Sequence, residues 1–301
     1  MTLQILIEAI GLLPLLVLVA VVVWRRRQLD RDGRRDPITT ELRNLPGHSL
    51  QEQFEKLYES RIDKLVLVLS AGLMVALVIA TRRITTESRP WDWDWLDTAF
   101  LIAAIALALH FGRQVPREMP RQRQIKQAIR AEHATAQELA ASLAGNNRII
   151  HDVQAGEFNI DHVVITPAGV FAVETKSRLK PPVGNGANAV KVKYDDRRLE
   201  FPGWTETKPL EQAGRQARWL ANYLREATGE RLPVFAVLVL PGWFIENTAR
   251  ITDDMVRVIN PKKSQWLLLP EKRPVLLDTA AIQRAAFAIE KLAQRIEAKD
   301  G

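Results

Sequence analysis

Residues 159–176 read Asn-Ile-Asp-His-Val-Val-Ile-Thr-Pro-Ala-Gly-Val-Phe-Ala-Val-Glu-Thr-Lys, and they constrain the fold more than any other stretch. Two runs rich in Val and Ile flank Thr166-Pro167-Ala168-Gly169. Branched side chains suit a pleated strand, and Pro followed by Gly between such runs marks a turn. The segment predicts a β-hairpin. Side chains alternate faces along a strand, so Glu174 and Lys176 share a face. In an antiparallel hairpin an early residue of one strand lies near a late residue of the other. Asp161, Glu174 and Lys176 are therefore expected to meet at one end.

Two carboxylates side by side repel, and burial raises the cost. A divalent cation removes the conflict, and carboxylate oxygens with positions left open for water and phosphate suit Mg²⁺. A lysine beside them can orient or activate water, or stabilise charge on a phosphate. This is equipment for metal-dependent phosphodiester hydrolysis. The plainer reading of the same spacing is a hairpin with a solvated, salt-bridged face.

The pattern Asp161, then Glu174-Thr175-Lys176 across the Pro-Ala-Gly turn, resembles the PD-(D/E)xK nuclease superfamily. More narrowly, Ile160-Asp161-His162-Val163-Val164-Ile165, Gly169-Val170-Phe171 and Val173-Glu174-Thr175-Lys176 are similar to the nuclease-related domain (NERD) family. Lys208-Pro209-Leu210-Glu211-Gln212-Ala213 opens a helical run, as the family's Pro-Leu-x-Gln segment does. The likeness covers residues 149–240. It implies an α/β (α+β) restriction-endonuclease-like core, a mixed central sheet flanked by helices. It implies Mg²⁺ or Mn²⁺ held by Asp161 and Glu174, Lys176 assisting the attacking water, and Gln212 as an accessory polar group. The family also carries a glutamate on the helix before the hairpin, in a Gly-Glu context. Here that helix offers Glu132 and Glu138, neither after a glycine, and the sequence leaves the choice open.

The first third of the chain has a different character. Residues 5–24 are almost wholly apolar, long enough to cross a bilayer, with Glu8 the exception. No Lys or Arg precedes the run and Arg25-Arg26-Arg27 follow it, which argues for an uncleaved anchor rather than a signal peptide. Residues 65–81 and 95–111 form two further apolar runs, flanked by Lys64, Arg82 and Arg83, which can snorkel. Trp91, Trp93 and Trp95 between them suit the membrane interface. Ser49-Leu50-Gln51-Glu52 matches a capping box, and Leu50, Phe54 and Leu57 give a short amphipathic helix. Lys and Arg number ten in 25–64, three in 82–95 and six in 112–130. Positive loops stay inside, so the N-terminus is expected outside and everything after Gly112 in the cytoplasm. The expectation is an integral protein of a bacterial inner membrane. Its parts are a membrane region at 1–112, a basic linker and helix at 113–148, and a nuclease-related domain at 149–301.

The chain has no cysteine, which excludes disulfides and zinc–thiolate sites, and its net charge of +7 favours polyanions. Pro116 and Pro120 are expected to punctuate the exit from the membrane, before a helix over 122–143. Strands are expected at 147–153, 190–194, 198–201, 234–240 and 256–259, and helices at 209–226 and 280–298. The leading reading is a membrane-anchored nuclease acting on nucleic acid, DNA before RNA, with membrane lipid and further copies of the chain as other partners. The alternatives are a catalytically inactive nucleic-acid tether and a membrane scaffold. His151 and His162 are assigned no role, since lone histidines near a strand are more often structural.

Overall fold

The computed structural model describes residues 45–85, 95–141, 147–181, 187–248, 254–264 and 275–294, with Trp24 and Thr252. The apolar run at 5–24, apart from Trp24, lies outside the described residues, as do Trp91 and Trp93. The described residues form two compact units. One comprises Glu55–Gln122; the other comprises the described part of Glu41–Phe54 and the residues from Arg123 onward.

Two helices, α1 (His48–Thr85) and α2 (Trp95–Ala141), build the first unit; residues 48–54 of α1 and 123–141 of α2 belong to the second. Each merges two expected elements: the short amphipathic helix continues into the 65–81 run, and the 95–111 run continues into the basic helix. Pro116 and Pro120 lie inside α2 and do not end it. Each lacks a backbone donor. Both are exposed. Both helices are long and apolar enough to cross a membrane. Lys64 pairs with Glu118 at 2.5 Å and Arg61 donates to Gln122 at 2.8 Å, while Arg82 meets the buried Asp97 at 3.1 Å. These polar contacts bracket the apolar lengths. Residues 65–81 extend about 26 Å at the helical rise of about 1.5 Å per residue.

The start of α1 departs from the capping-box expectation. The helix begins at His48, and Ser49 donates from both its backbone N–H and its hydroxyl to Asp152 Oδ2, each at 2.7 Å. Helix N-termini leave donors unsatisfied. Here a carboxylate from a strand supplies the acceptor that a local cap was expected to provide.

In the second unit, a five-stranded sheet has the order β1-β2-β3-β7-β9. Its strands are β1 (Arg148–Gln154), β2 (Asn159–Thr166), β3 (Gly169–Thr175), β7 (Val234–Val239) and β9 (Arg257–Ile259). β1, β2 and β3 pair antiparallel, while β3–β7 and β7–β9 are parallel, making the sheet mixed as expected. α3 (Lys208–Thr228) and α4 (Thr279–Gln294) cover one face. Leu210, Ala213, Ala217, Leu220 and Leu224, the expected apolar side of α3, are all buried. Val163, Ile165, Val170 and Ala172 pack in the cluster that α3 and α4 complete, while Val164, Phe171 and Val173 pack with Leu139 of α2 on the other face. That is the period-two alternation of strands covered on both sides. A second sheet, β6-β5-β4-β8, is built from β4 (Lys191–Tyr194), β5 (Leu199–Phe201), β6 (Trp204–Glu206) and β8 (Phe244–Asn247). β6 and β8 are additions to the expected strands at 190–194 and 198–201, and with them those strands form a sheet of their own.

The turn at Pro167-Ala168 depends on Gly169, whose φ is +134°. A Cβ there would stand 2.7 Å from a Phe235 ring carbon and 3.2 Å from the Pro233 carbonyl oxygen. Strain and overpacking act together, so Gly169→Ala is expected to cost roughly 2–4 kcal/mol. The check is the thermal midpoint of the purified chain; an unchanged midpoint would show that the turn tolerates a side chain.

Candidate active site

The hairpin register carries the site. His162 pairs with Val173, so one step further Asp161 stands opposite Glu174. Both project on the α3 face, and Asp161 Oδ2 accepts the Thr175 N–H at 2.6 Å. The Lys176 ammonium lies 2.5 Å from Glu174 Oε1, and Lys176 N–H continues the pairing to Val239 O at 2.9 Å. Asp161, Glu174, Lys176 and Gln212 all line one cavity of about 730 Å³. The four residues singled out from sequence are thus brought together.

Helix α3 fixes the carboxylate. Gln212 Nε2 donates to Glu174 Oε1 at 2.8 Å. One turn further, Gln216 Nε2 donates to Glu174 Oε2 at 2.5 Å and to the Asn159 carbonyl at 3.0 Å. Gln216 was missed in the sequence. The signal was present: it lies four residues after Gln212 and so on the same helix face, among the buried apolar positions of α3. Gln216→Leu keeps the volume and removes both bonds, leaving one carboxylate oxygen of Glu174 without its donor. Groups that orient a metal-binding carboxylate are typically worth about 10–100-fold. If Glu174 holds a divalent cation, Gln216→Leu is expected to weaken Mg²⁺ binding by that factor in a titration; an unchanged Mg²⁺ midpoint would assign Gln216 to packing alone.

Of Glu132 and Glu138, one lies at the cavity. Glu132 is buried and lines the cavity; Glu138 is not among its lining residues. Glu132 Oε2 has no hydrogen-bond partner among the described residues. Burial, then the charges of Asp152 and Glu174, push the Glu132 carboxyl up to about 8. Asp161 is also raised well above the usual carboxylate range, by burial first and then by Glu174 and Glu132. The Thr175 N–H and then Lys176 oppose the Asp161 shift, and Lys176 and then the Gly47 backbone oppose the Glu132 shift, without cancelling them.

Among the described residues no three His, Asp or Glu side chains converge as a finished metal-ligand set. The Lys176 ammonium and two glutamine amides instead share Glu174. The surroundings nevertheless fit a hard divalent cation. The donors are carboxylate oxygens, one of them, Glu132 Oε2, buried without a hydrogen-bond partner among the described residues, and burial with neighbouring carboxylates raises two of the acids, Glu132 and Asp161. A cation of the Mg²⁺ or Mn²⁺ type is stabilised by such oxygens, and binding displaces the protons.

The rest of the wall is polar and aromatic. Gln127 donates to Ser177 Oγ at 2.7 Å. Arg178 forms a two-point pair with Glu206, at 2.8 and 2.7 Å, and that contact holds the Glu206 carboxyl below its usual range. Trp204 lines the same cavity, stacked on Phe201. Leu50, from the first turn of α1, also lines it. His151 and His162 do not: the register places them opposite each other on the other face, with Nδ1 atoms 2.8 Å apart. Burial lowers both, His162 strongly, so the pair is neutral in character.

Residues 127–241 match the family profile of the nuclease-related domain. The matched segment contains Glu132, Asp161, Glu174, Lys176, Gln212 and Gln216. No curated protein and no solved structure matches the chain significantly. Over residues 127–241 the chain is thus similar to the nuclease-related domain family, and a mixed sheet flanked by helices fits a nuclease-related α+β fold.

Proposed function

We propose that this protein is a membrane-anchored, metal-dependent nuclease that hydrolyses DNA phosphodiester bonds. One observation carries the reading: Asp161, Glu174, Lys176 and Glu132, with its unpartnered oxygen, line a single cavity, while Gln212 and Gln216 hold Glu174 in place. Asp161 and Glu174 are the metal-holding residues, and Glu132 is the third carboxylate. When bound, a divalent cation polarises the phosphodiester and generates a water-derived nucleophile near neutral pH. The chain's own groups do the rest. The Asp161 carboxylate is positioned by the Thr175 N–H. The Lys176 ammonium, 2.5 Å from Glu174, places a donor where a water or phosphate oxygen must sit, and supplies positive charge to the pentacovalent oxygens. Arg178 and Gln127 line the approach and orient the backbone of the substrate.

Anchoring in the membrane falls to α1 and α2. Leu65, Val66, Leu67, Leu69 and Leu73 of α1 are exposed, as are Leu101, Ile102, Ile105 and Leu109 of α2. Apolar surface of that extent on two bracketed helices is satisfied by lipid. With the positive-inside rule, the site faces the cytoplasm.

The experiment uses the full chain in detergent, because residues 45–54 belong to the same unit as the site and a fragment starting after α1 would lose Leu50 and Ser49. Plasmid and single-stranded DNA are incubated with Mg²⁺, Mn²⁺ or chelator. Cleavage that requires metal is the expected result. Salt-sensitive binding with no cleavage under either metal would replace the enzyme with a nucleic-acid tether. Neither binding nor cleavage would leave a membrane scaffold.

A further inference from the structure

A second cavity, of about 430 Å³, opens beside β8 and is lined by Lys180, Trp243, Phe244, Asn260, Lys262 and Lys263 among others. Phe244 is 48% exposed, an aromatic ring left to solvent on a strand at the sheet edge. Lys263 stands 5.3 Å from the centre of that ring and Lys191 6.0 Å. Lys180 stands 5.9 Å from the ring of Trp243. None of the described lining residues is acidic. Ammonium groups gathered around an exposed aromatic in a concave, acid-free groove complement one kind of ligand: flat rings joined by negative charges. Stacking of a base on an aromatic ring with lysines on the adjoining phosphates is how single strands are held without sequence readout.

The groove is tied to the candidate catalytic cavity. The chain leaving Lys176 reaches Lys180 four residues later, a separation of at most about 14 Å in extended backbone. The indole N–H of Trp243 donates to the Arg178 carbonyl at 3.3 Å, and Trp243 meets Trp204, a wall residue of the first cavity, edge to face at 6.3 Å. Phe201 packs against both indoles, so the two cavities share an aromatic partition. A flat lipid surface is the poorer complement, because the Phe244 ring belongs to a recess that continues behind it to Trp243 and Asn260.

We propose that this groove is a strand-binding subsite. It receives single-stranded DNA a few nucleotides from the reacting phosphate, with a base stacked on Phe244 and phosphates on Lys180, Lys191, Lys262 and Lys263. The assignment rests on the nuclease reading of the first cavity. It gives a role to the exposed aromatic on β8 among lysines, and it predicts a preference for substrates with an unpaired stretch beside the cleaved bond.

The test is fluorescence anisotropy with the full chain in detergent and chelator, using a labelled oligothymidylate of about 16 nucleotides, the upper site size of one such groove. Phe244→Ala is expected to weaken binding about tenfold, while blunt duplex DNA of the same length changes less than about twofold. Lys191→Ala with Lys263→Ala is expected to reduce the slope of log affinity against log salt by about 1.4, at about 0.7 per single-strand phosphate contact. Near-ultraviolet circular dichroism of each variant must match wild type; Phe244→Leu keeps the apolar bulk without the ring and serves as the second variant. If the wild type binds and cleaves DNA but Phe244→Ala and Phe244→Leu bind the oligonucleotide as tightly, this inference is overturned and the catalytic reading stands. If the wild type neither binds nor cleaves, the catalytic reading fails and takes this one with it. A photoreactive amino acid in place of Phe244 that crosslinks to anionic lipid in reconstituted bilayers and not to the oligonucleotide also overturns it.

Discussion

Glu174→Gln is expected to lower metal-dependent DNA cleavage by about 10²–10³-fold or more while leaving the chain folded and able to bind DNA. The change keeps the size of the side chain and removes its charge. Glu174 is the meeting point of the site: Oε1 takes the Lys176 ammonium and Gln212, and Oε2 takes Gln216. An amide in its place keeps one acceptor oxygen but turns an NH2 toward the donor or donors on the other side, and the charge that would hold a cation is gone. Asp161→Ala and Lys176→Ala are expected to lose activity comparably, the first through the cation and the second through the water or phosphate it serves. Effects within one such unit do not add, so a double variant should be little worse than either single one. Glu200→Gln, on β5 and paired with Arg198 at 2.6 Å, is the control for loss of a carboxylate elsewhere. Cleavage by Glu174→Gln, Asp161→Ala and Lys176→Ala at the wild-type rate would place the chemistry outside this cavity.

Much of this centre was legible because its determinants are local. A hairpin's register follows from its turn, so once Pro167 and Gly169 mark the turn, the facing of Asp161 and Glu174 follows from counting. The strand period then puts Lys176 on the same face. The apolar stripe on α3 was readable by its helical spacing, and with that face buried Gln212 reaches Glu174. What was not readable depends on distant packing. Glu132 and Glu138 lie on one helix and differ only in which faces the cavity, a matter of how α2 lies on the sheet. Gln216 looked like one more polar residue until its burial against Glu174 was seen. Ser49 looked like a helix cap and instead donates to Asp152, which lies in another element. β6 and β8 are short, and β8 joins its sheet by pairing with β4 across a wide sequence gap, so no local pattern announces it. The helix through Pro116 and Pro120 shows the reverse case: a local breaker signal overridden by a continuous helix on either side.

The buried acids make a second large effect measurable without any turnover. The carboxyl of Glu132 sits at about 8 in the folded chain, against about 4.5 in an unfolded one, and Asp161 is raised in the same direction. A group that holds its proton more tightly when folded stabilises the fold fully below its unfolded value, and that contribution is lost as pH rises through its folded value. In chelator, the thermal midpoint of the wild type should therefore fall between about pH 4.5 and 8. Each pH unit between the two values is worth about 1.36 kcal/mol, which puts the Glu132 share on the order of 3–5 kcal/mol. Glu132→Gln carries no ionisable group there, so its midpoint should be higher than wild type at pH 8 and less steeply falling across the range, with the remaining slope set by Asp161 and, in the opposite sense below about pH 6.5, by the buried His151 and His162, which both proteins share. Added Mg²⁺ should reverse the order. It supplies the positive charge that the ionised carboxylates lack, raising the wild-type midpoint at pH 8 with release of protons, and it should do less for Glu132→Gln. Differential scanning calorimetry at several pH values, with chelator and with Mg²⁺, reads both proteins in both states. Parallel pH slopes for wild type and Glu132→Gln would mean that Glu132 does not change its protonation on folding. An identical Mg²⁺ response in the two proteins would remove it from the metal site while leaving Asp161 and Glu174 in place.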